Sequence, residues 1–157
     1  MPETLSAHDA LDQIAADARS LQQSLRHTPI DCARVLTARV IEAQALAANA
    51  LHLFLGLELE PSHDSSAQLL CLDRVARTAK AAQDASAELT AALARAVENQ
   101  RRRAYAATSP PVLLRPTPQQ FVASAADLLD GLLTLCRPLR RDHSQPPAAL
   151  VPAPPAS

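Results

Sequence analysis

Between Asp64 and Ala106 the chain contains neither proline nor glycine, and alanine recurs throughout. Alanine loses no side-chain entropy in a helix, and the two residues that interrupt helices most strongly are missing here. The stretch therefore predicts one unbroken helix from about Asp64 to Ala106, which at about 1.5 Å per residue is a rod roughly 60 Å long. Its apolar seam reads Leu72, Val75, Ala79, Ala82, Ser86, Leu89, Leu93 and Ala96, spaced three and four apart, and then turns polar at Gln100 and Arg103. Helices that meet through alanine approach closely, so the rod is expected to pair with the preceding helix as a tight antiparallel hairpin. The whole chain has the same bias: 33 alanines and 25 leucines stand against 2 glycines, with aromatics at 2%. Sheets want β-branched and aromatic residues, so the fold class reads as all-α.

The helices on either side follow from caps and periodicity. Ser6 can cap the amide of Asp9, opening a first helix with Leu11, Ile14, Ala18, Leu21 and Leu25 on one face. In "RHTPID", Thr28 suits an N-cap and Pro29 the first helical position, with Asp31 complementing the helix dipole. The second helix is thus expected to start there, with Ala33, Leu36, Val40, Ala43, Ala47, Ala50, Phe54 and Leu57 inward. "LHLFLGLEL" alternates leucine at 51, 53, 55, 57 and 59, a pattern a strand would share. Its composition and the lack of a pairing strand favour helix.

Pro110, Pro111 and Pro116 forbid helix over residues 107–116, which predicts an extended linker. Thr117, Pro118 and Gln120 form a capping box for a fourth helix over 117–138, with Phe121, Ala125, Leu128, Leu132 and Leu135 lining one face and Pro138 as its stop. The domain reading is a helical bundle over 1–106, with three helices including the short N-terminal one, then linker, C-terminal helix and a disordered proline-rich tail over 139–157.

Charge is distributed unevenly. The net charge is −1, but residues 1–100 carry 8 basic and 13 acidic side chains, whereas residues 101–157 carry 7 and 3. Arg101, Arg102 and Arg103 end the long helix, where cations favour the exposed carbonyls by about 0.3–1 kcal/mol. A solvated helix end accounts for them. The competing reading is an accessory nucleic-acid surface made by these three with Arg140 and Arg141. It is weakened by the near-neutral charge, the lack of a basic recognition helix and the scarcity of stacking rings.

Catalytic signatures are absent. The sequence has no G-x-S-x-G, no glycine-rich phosphate loop and no H-E-x-x-H. His8 and Asp12 lie one turn apart but do not complete a metal site, His63 and Asp64 suit a turn, and His52 is expected to be partly buried. Cys32, Cys71 and Cys136 show no C-x-x-C spacing. Cys32 and Cys71 fall beside the apolar seam but about 30 Å apart in the hairpin, so they serve as small apolar fillers. No cofactor, metal or small-molecule substrate is implied. The acidic opening "MPETLSAHDALDQI" is unlike a signal peptide, and the most apolar run, residues 46–59, is short for a membrane span. The expected location is the cytoplasm.

Counting turns exposes one unmet requirement. The first helix is expected to cover the second only to about residue 49, leaving Leu51, Leu55 and Leu59 as an i, i+4, i+8 stripe away from the third helix. Leucines left in water forgo about 1.5–3 kcal/mol each, and such patches mark interfaces. The fourth helix is the intrachain cover expected from its linker; another protein or a second copy of the chain is the interchain one.

From "AQALAANALHLFL" through "AQLLCLDRVARTAKAAQDASAELTAAL", residues 43–94 carry a helix with N-A-L near its centre, a loop, and a helix with repeated K-A-x-x-x and an L-x-x-L ending. This resembles small helical proteins of proteobacteria and their prophages that have no assigned function, and the resemblance implies a helical fold alone. The functional expectation is a non-catalytic protein-interaction module, such as an adaptor, inhibitor or assembly factor, with Leu51, Leu55 and Leu59 as its contact.

Overall fold

A computed structural model describes residues 7–27, 32–59, 65–106, 110 and 114–144. Four helices make up the described residues, without any strand: α1 (Ala7–His27), α2 (Ala33–Glu58), α3 (Ser66–Tyr105) and α4 (Pro118–Ser144). The alternating leucines are helical, which places Leu53 and Leu57 inside and Leu51, Leu55 and Leu59 outside.

Each helix packs on two others. α3 lies against both α2 and α4, and α1 bridges α2 and α4, with no packing between α1 and α3 or between α2 and α4. Gln68 Nε2 at the start of α3 donates to the Leu57 carbonyl at the end of α2. All five residues expected on the α1 stripe are buried, as are Leu72, Val75, Ala79, Ala82, Ser86, Leu89 and Ala96 on α3. A second buried row on α3, Thr78, Ala85, Ala92 and Asn99, is offset toward the other shoulder. That row serves α4, because a helix flanked on two sides must bury more than one seam. Thr78 satisfies its hydroxyl within the helix by donating to the Arg74 carbonyl at 2.9 Å.

Several boundaries differ from the sequence reading. α2 begins at Ala33 because Cys32 is extended (φ −109, ψ 113) and its side chain makes no cap bond. Thr28, Pro29 and Asp31 lie outside the described residues, as does Ser6. α3 begins at Ser66, where the Ser65 hydroxyl accepts from the Gln68 amide, two residues later than Asp64. α4 runs through Pro138 to Ser144. A proline withholds a single backbone N–H, and a helix already anchored by buried Leu132 and Cys136 can continue past it. The tail expected from residue 139 is therefore helical to 144, and residues 145–157 lie outside the described ones.

The capping box of α4 is reciprocal. Thr117 Oγ1 accepts from the Gln120 amide at 3.2 Å, and Gln120 Oε1 accepts from the Thr117 amide at 2.8 Å. Thr117→Ala is expected to lower unfolding stability by about 1 kcal/mol in urea titration. The buried face is rotated from the expected one: Val122, Ala125, Leu129, Leu132 and Cys136 point inward, while Phe121, Leu128 and Leu135 form a half-buried shoulder. Both stripes share Ala125 and Leu132, and packing between α1 and α3 selects the broader face.

Two polar links fix α4 in place. Gln22, buried on α1, donates to the Ala126 carbonyl at 3.1 Å and to the Asp130 carboxylate, with Arg26 also facing Asp130. Arg95 on α3 donates to the Pro116 carbonyl at 3.0 Å, its guanidinium 5.7 Å from the centroid of the Phe121 ring. The cation over the ring face and the carbonyl bond hold the entry of α4 against α3.

Candidate functional site

Among the described residues, exposed large apolar side chains gather on the outward face of α2. Leu51, Leu55 and Leu59 are 45, 55 and 85% exposed. The expectation that α4 covers them is overturned, because among the described residues α4 packs on α1 and α3 and not on α2. Ile41, 60% exposed, extends the face. It lies five turns before Leu59 on the same line, and that spacing is the signal the sequence reading passed over. Ala45, Ala48, His52 and Gly56 fill the line between them, all exposed. His52 is thus outside, where the sequence reading expected partial burial. Leu69, at the start of α3, is 59% exposed and follows Gln68, whose side chain reaches the Leu57 carbonyl at the end of α2.

Between Val40 and Leu59 the only charged residues are Glu42 and Glu58, both exposed. The face therefore has no basic rim. A helix lying on an anionic lipid surface wants lysine and arginine along its polar edges; two glutamates oppose that. α2 as a whole is long and apolar enough by composition to cross a membrane, which the run 46–59 alone did not suggest. Its inner side, however, is packed: Leu36, Ala43, Leu46, Ala50 and Leu57 are buried against α1 and α3. That pattern fits a core helix whose outer side is also apolar.

The arginines of the α3 end are partly spoken for. Glu98 holds Arg102 at 3.2 Å and Arg101 at 3.6 Å, leaving Arg103 to line a small crevice with Asn99, Gln100, Thr117 and Gln119. Ala96 and Asn99 are buried there by the start of α4, which supports the rod as far as Asn99. Asn99 Oδ1 is buried without a hydrogen-bond partner. Arg140 and Arg141 lie near the far end of α4, about 33 Å along the helix from Pro118, which itself adjoins Arg103. The structure does not bring the two arginine groups together.

The cysteines occupy three different environments, Cys32 exposed, Cys71 half-buried and Cys136 buried, and none forms a disulfide. Cys32 is thus exposed, where it was expected beside the apolar seam as a small filler. Among the described residues no three His, Cys, Asp or Glu side chains gather as a metal site would need. Comparison with protein-family models, with curated proteins and with solved structures finds no match to this chain.

Proposed function

We propose that the protein is a non-catalytic helical interaction module, an adaptor, inhibitor or assembly factor of the cytoplasm, that docks another protein chain on the outward face of α2. The α2–α3 hairpin, with α1 beside it, serves as the rigid platform, and Leu51, Leu55 and Leu59 are the contact. One observation carries this reading: three leucines stand 45–85% exposed on a helix whose opposite side is core. Contiguous apolar surface of this kind is characteristic of binding sites, and depletion of charge at its centre matches the middle of a protein interface.

Leu55→Asp tests it. The side chain is 55% exposed, so the substitution leaves the core intact, and helix content by circular dichroism is expected to be unchanged. A charge buried at a desolvated contact is costly; association is expected to weaken by at least about a hundredfold, read by sedimentation or pull-down from the host. Undiminished association would refute the docking role. Nucleic-acid binding receives less support, since Glu98 engages two of the three arginines and the C-terminal pair sits at the other end of α4.

A further inference from the structure

We infer that the occupant of this face is a second copy of the chain, its α2 packed antiparallel on the first; the inference rests on the docking role proposed above. Glycine inside a helix is unfavourable relative to alanine, so an unexplained one asks for a reason. Neither Gly56 nor Gly131 has one within this chain, since a Cβ added at either would meet nothing within 4 Å, but Gly56 is the one on α2. It lies on the exposed apolar line, where the absence of a side chain lets another backbone approach.

The face is also self-complementary. Laid antiparallel about its midpoint, α2 brings Ile41 level with Leu59 of the second copy, Gln44 with Gly56, Ala45 with Leu55, and Ala48 with His52. In the inner layers a bulky residue meets a small one, and the two large aliphatic residues pair only at the ends. A two-fold axis uses the same patch twice, so each of these pairs occurs twice. Glu42 and Glu58 come level as well, but each lies about 100° around the helix from the Ile41–Leu59 line, so they stand outside the seam.

From Ile41 to Leu59 the seam is about 27 Å long and about one helix diameter, roughly 10 Å, wide. Such a strip falls at the small end of specific interfaces, below about 1,200 Å² in total, where association is weak and reversible. The dimer is expected to form and dissociate across micromolar concentrations rather than to be obligate.

The test uses the full chain with Cys32→Ser and Cys71→Ala, in two versions carrying either Ala45→Cys or Leu55→Cys. Under mild oxidation, a mixture of the two is expected to yield a covalent dimer, and either alone little, because only unlike positions come level across the seam. Sedimentation from roughly 5 to 500 µM, the range appropriate to a small interface, is expected to show a monomer–dimer equilibrium. Gly56→Ala and Gly131→Ala should both raise Tm by about 2–4 °C, since neither methyl meets an obstacle in the monomer. Only Gly56→Ala should weaken the dimer, by about tenfold. Equal dimerisation of the two glycine variants, or a dimer that the cysteine pair fails to trap, would overturn the antiparallel seam. A chain that stays monomeric while Leu55→Asp still abolishes capture of a different protein would overturn the second copy and keep the docking face. Monomer throughout, with Leu55→Asp silent, would remove both. Flotation with neutral or anionic vesicles that Leu55→Asp abolishes would replace the protein partner with lipid.

Discussion

Leu89→Ala is expected to cost about 3–4 kcal/mol of unfolding free energy and to lower Tm by roughly 10 °C. Leu89 is 0% exposed and lies near the middle of α3, between the row facing α2 and the row facing α4. Truncation removes its transfer energy and leaves a cavity that two neighbouring helices would have to close from opposite sides, so little collapse is possible. The urea midpoint should fall with m unchanged, the signature of a pure loss of stability. Leu55→Ala is the control: the same chemical change on the exposed face is expected to alter monomer stability by less than about 0.5 kcal/mol. A Leu89→Ala variant as stable as its parent would mean that α4 is not seated on α3 as described.

The second large effect comes from adding volume. Ala82 is 0% exposed, and the tie between Gln68 and the Leu57 carbonyl sets it about level with Ala43, also fully buried. Alanine against alanine permits helix axes near the lower end of the usual 8–10 Å separation. Ala82→Leu inserts three carbons into that contact and forces either an unfavourable rotamer or separation of α2 from α3. A loss of about 3 kcal/mol is expected, at the upper end of overpacking costs because both facing residues are already minimal. Ala87→Leu, on the exposed side of α3, is expected to be near neutral, since leucine and alanine differ little in helix propensity. Calorimetric Tm values for the pair would separate overpacking from propensity.

The parts of the fold legible in the sequence were those in which large apolar residues mark the buried line. The α1 stripe from Leu11 to Leu25 and the α3 seam from Leu72 to Ala96 show a single apolar line, and helical spacing reveals it directly. The second row on α3 was hidden because Thr78, Ala85, Ala92 and Asn99 are small or polar; nothing in their side chains announces burial, and only the position of α4 explains it. The same two-sided packing accounts for the rotation of α4, since stripes beginning at Phe121 and at Val122 are equally periodic. Pro138 misled because a proline's local effect was weighed without the tertiary anchor that precedes it. At the candidate site, Leu51, Leu55 and Leu59 are readable from spacing, whereas Ile41 belongs to the same face only through its five-turn separation from Leu59. That α4 leaves the stripe bare depends on which pair of helices it joins, a long-range choice that spacing does not encode.

α1 is held by the slightest packing of the four helices, and its polar links to α4 converge on one spot, around Gln22, Arg26 and Asp130. Cooperative opening should therefore begin at the N-terminal end, so that amide protons of α1 exchange with solvent through a partial unzipping while those of α3 wait for global unfolding. Each such excursion would uncover the inner leucines of α2 together with its outer ones, giving the chain a transient form that is greasy on both sides of one helix. How rarely that form is visited sets how well the protein resists aggregation when it is crowded or warmed.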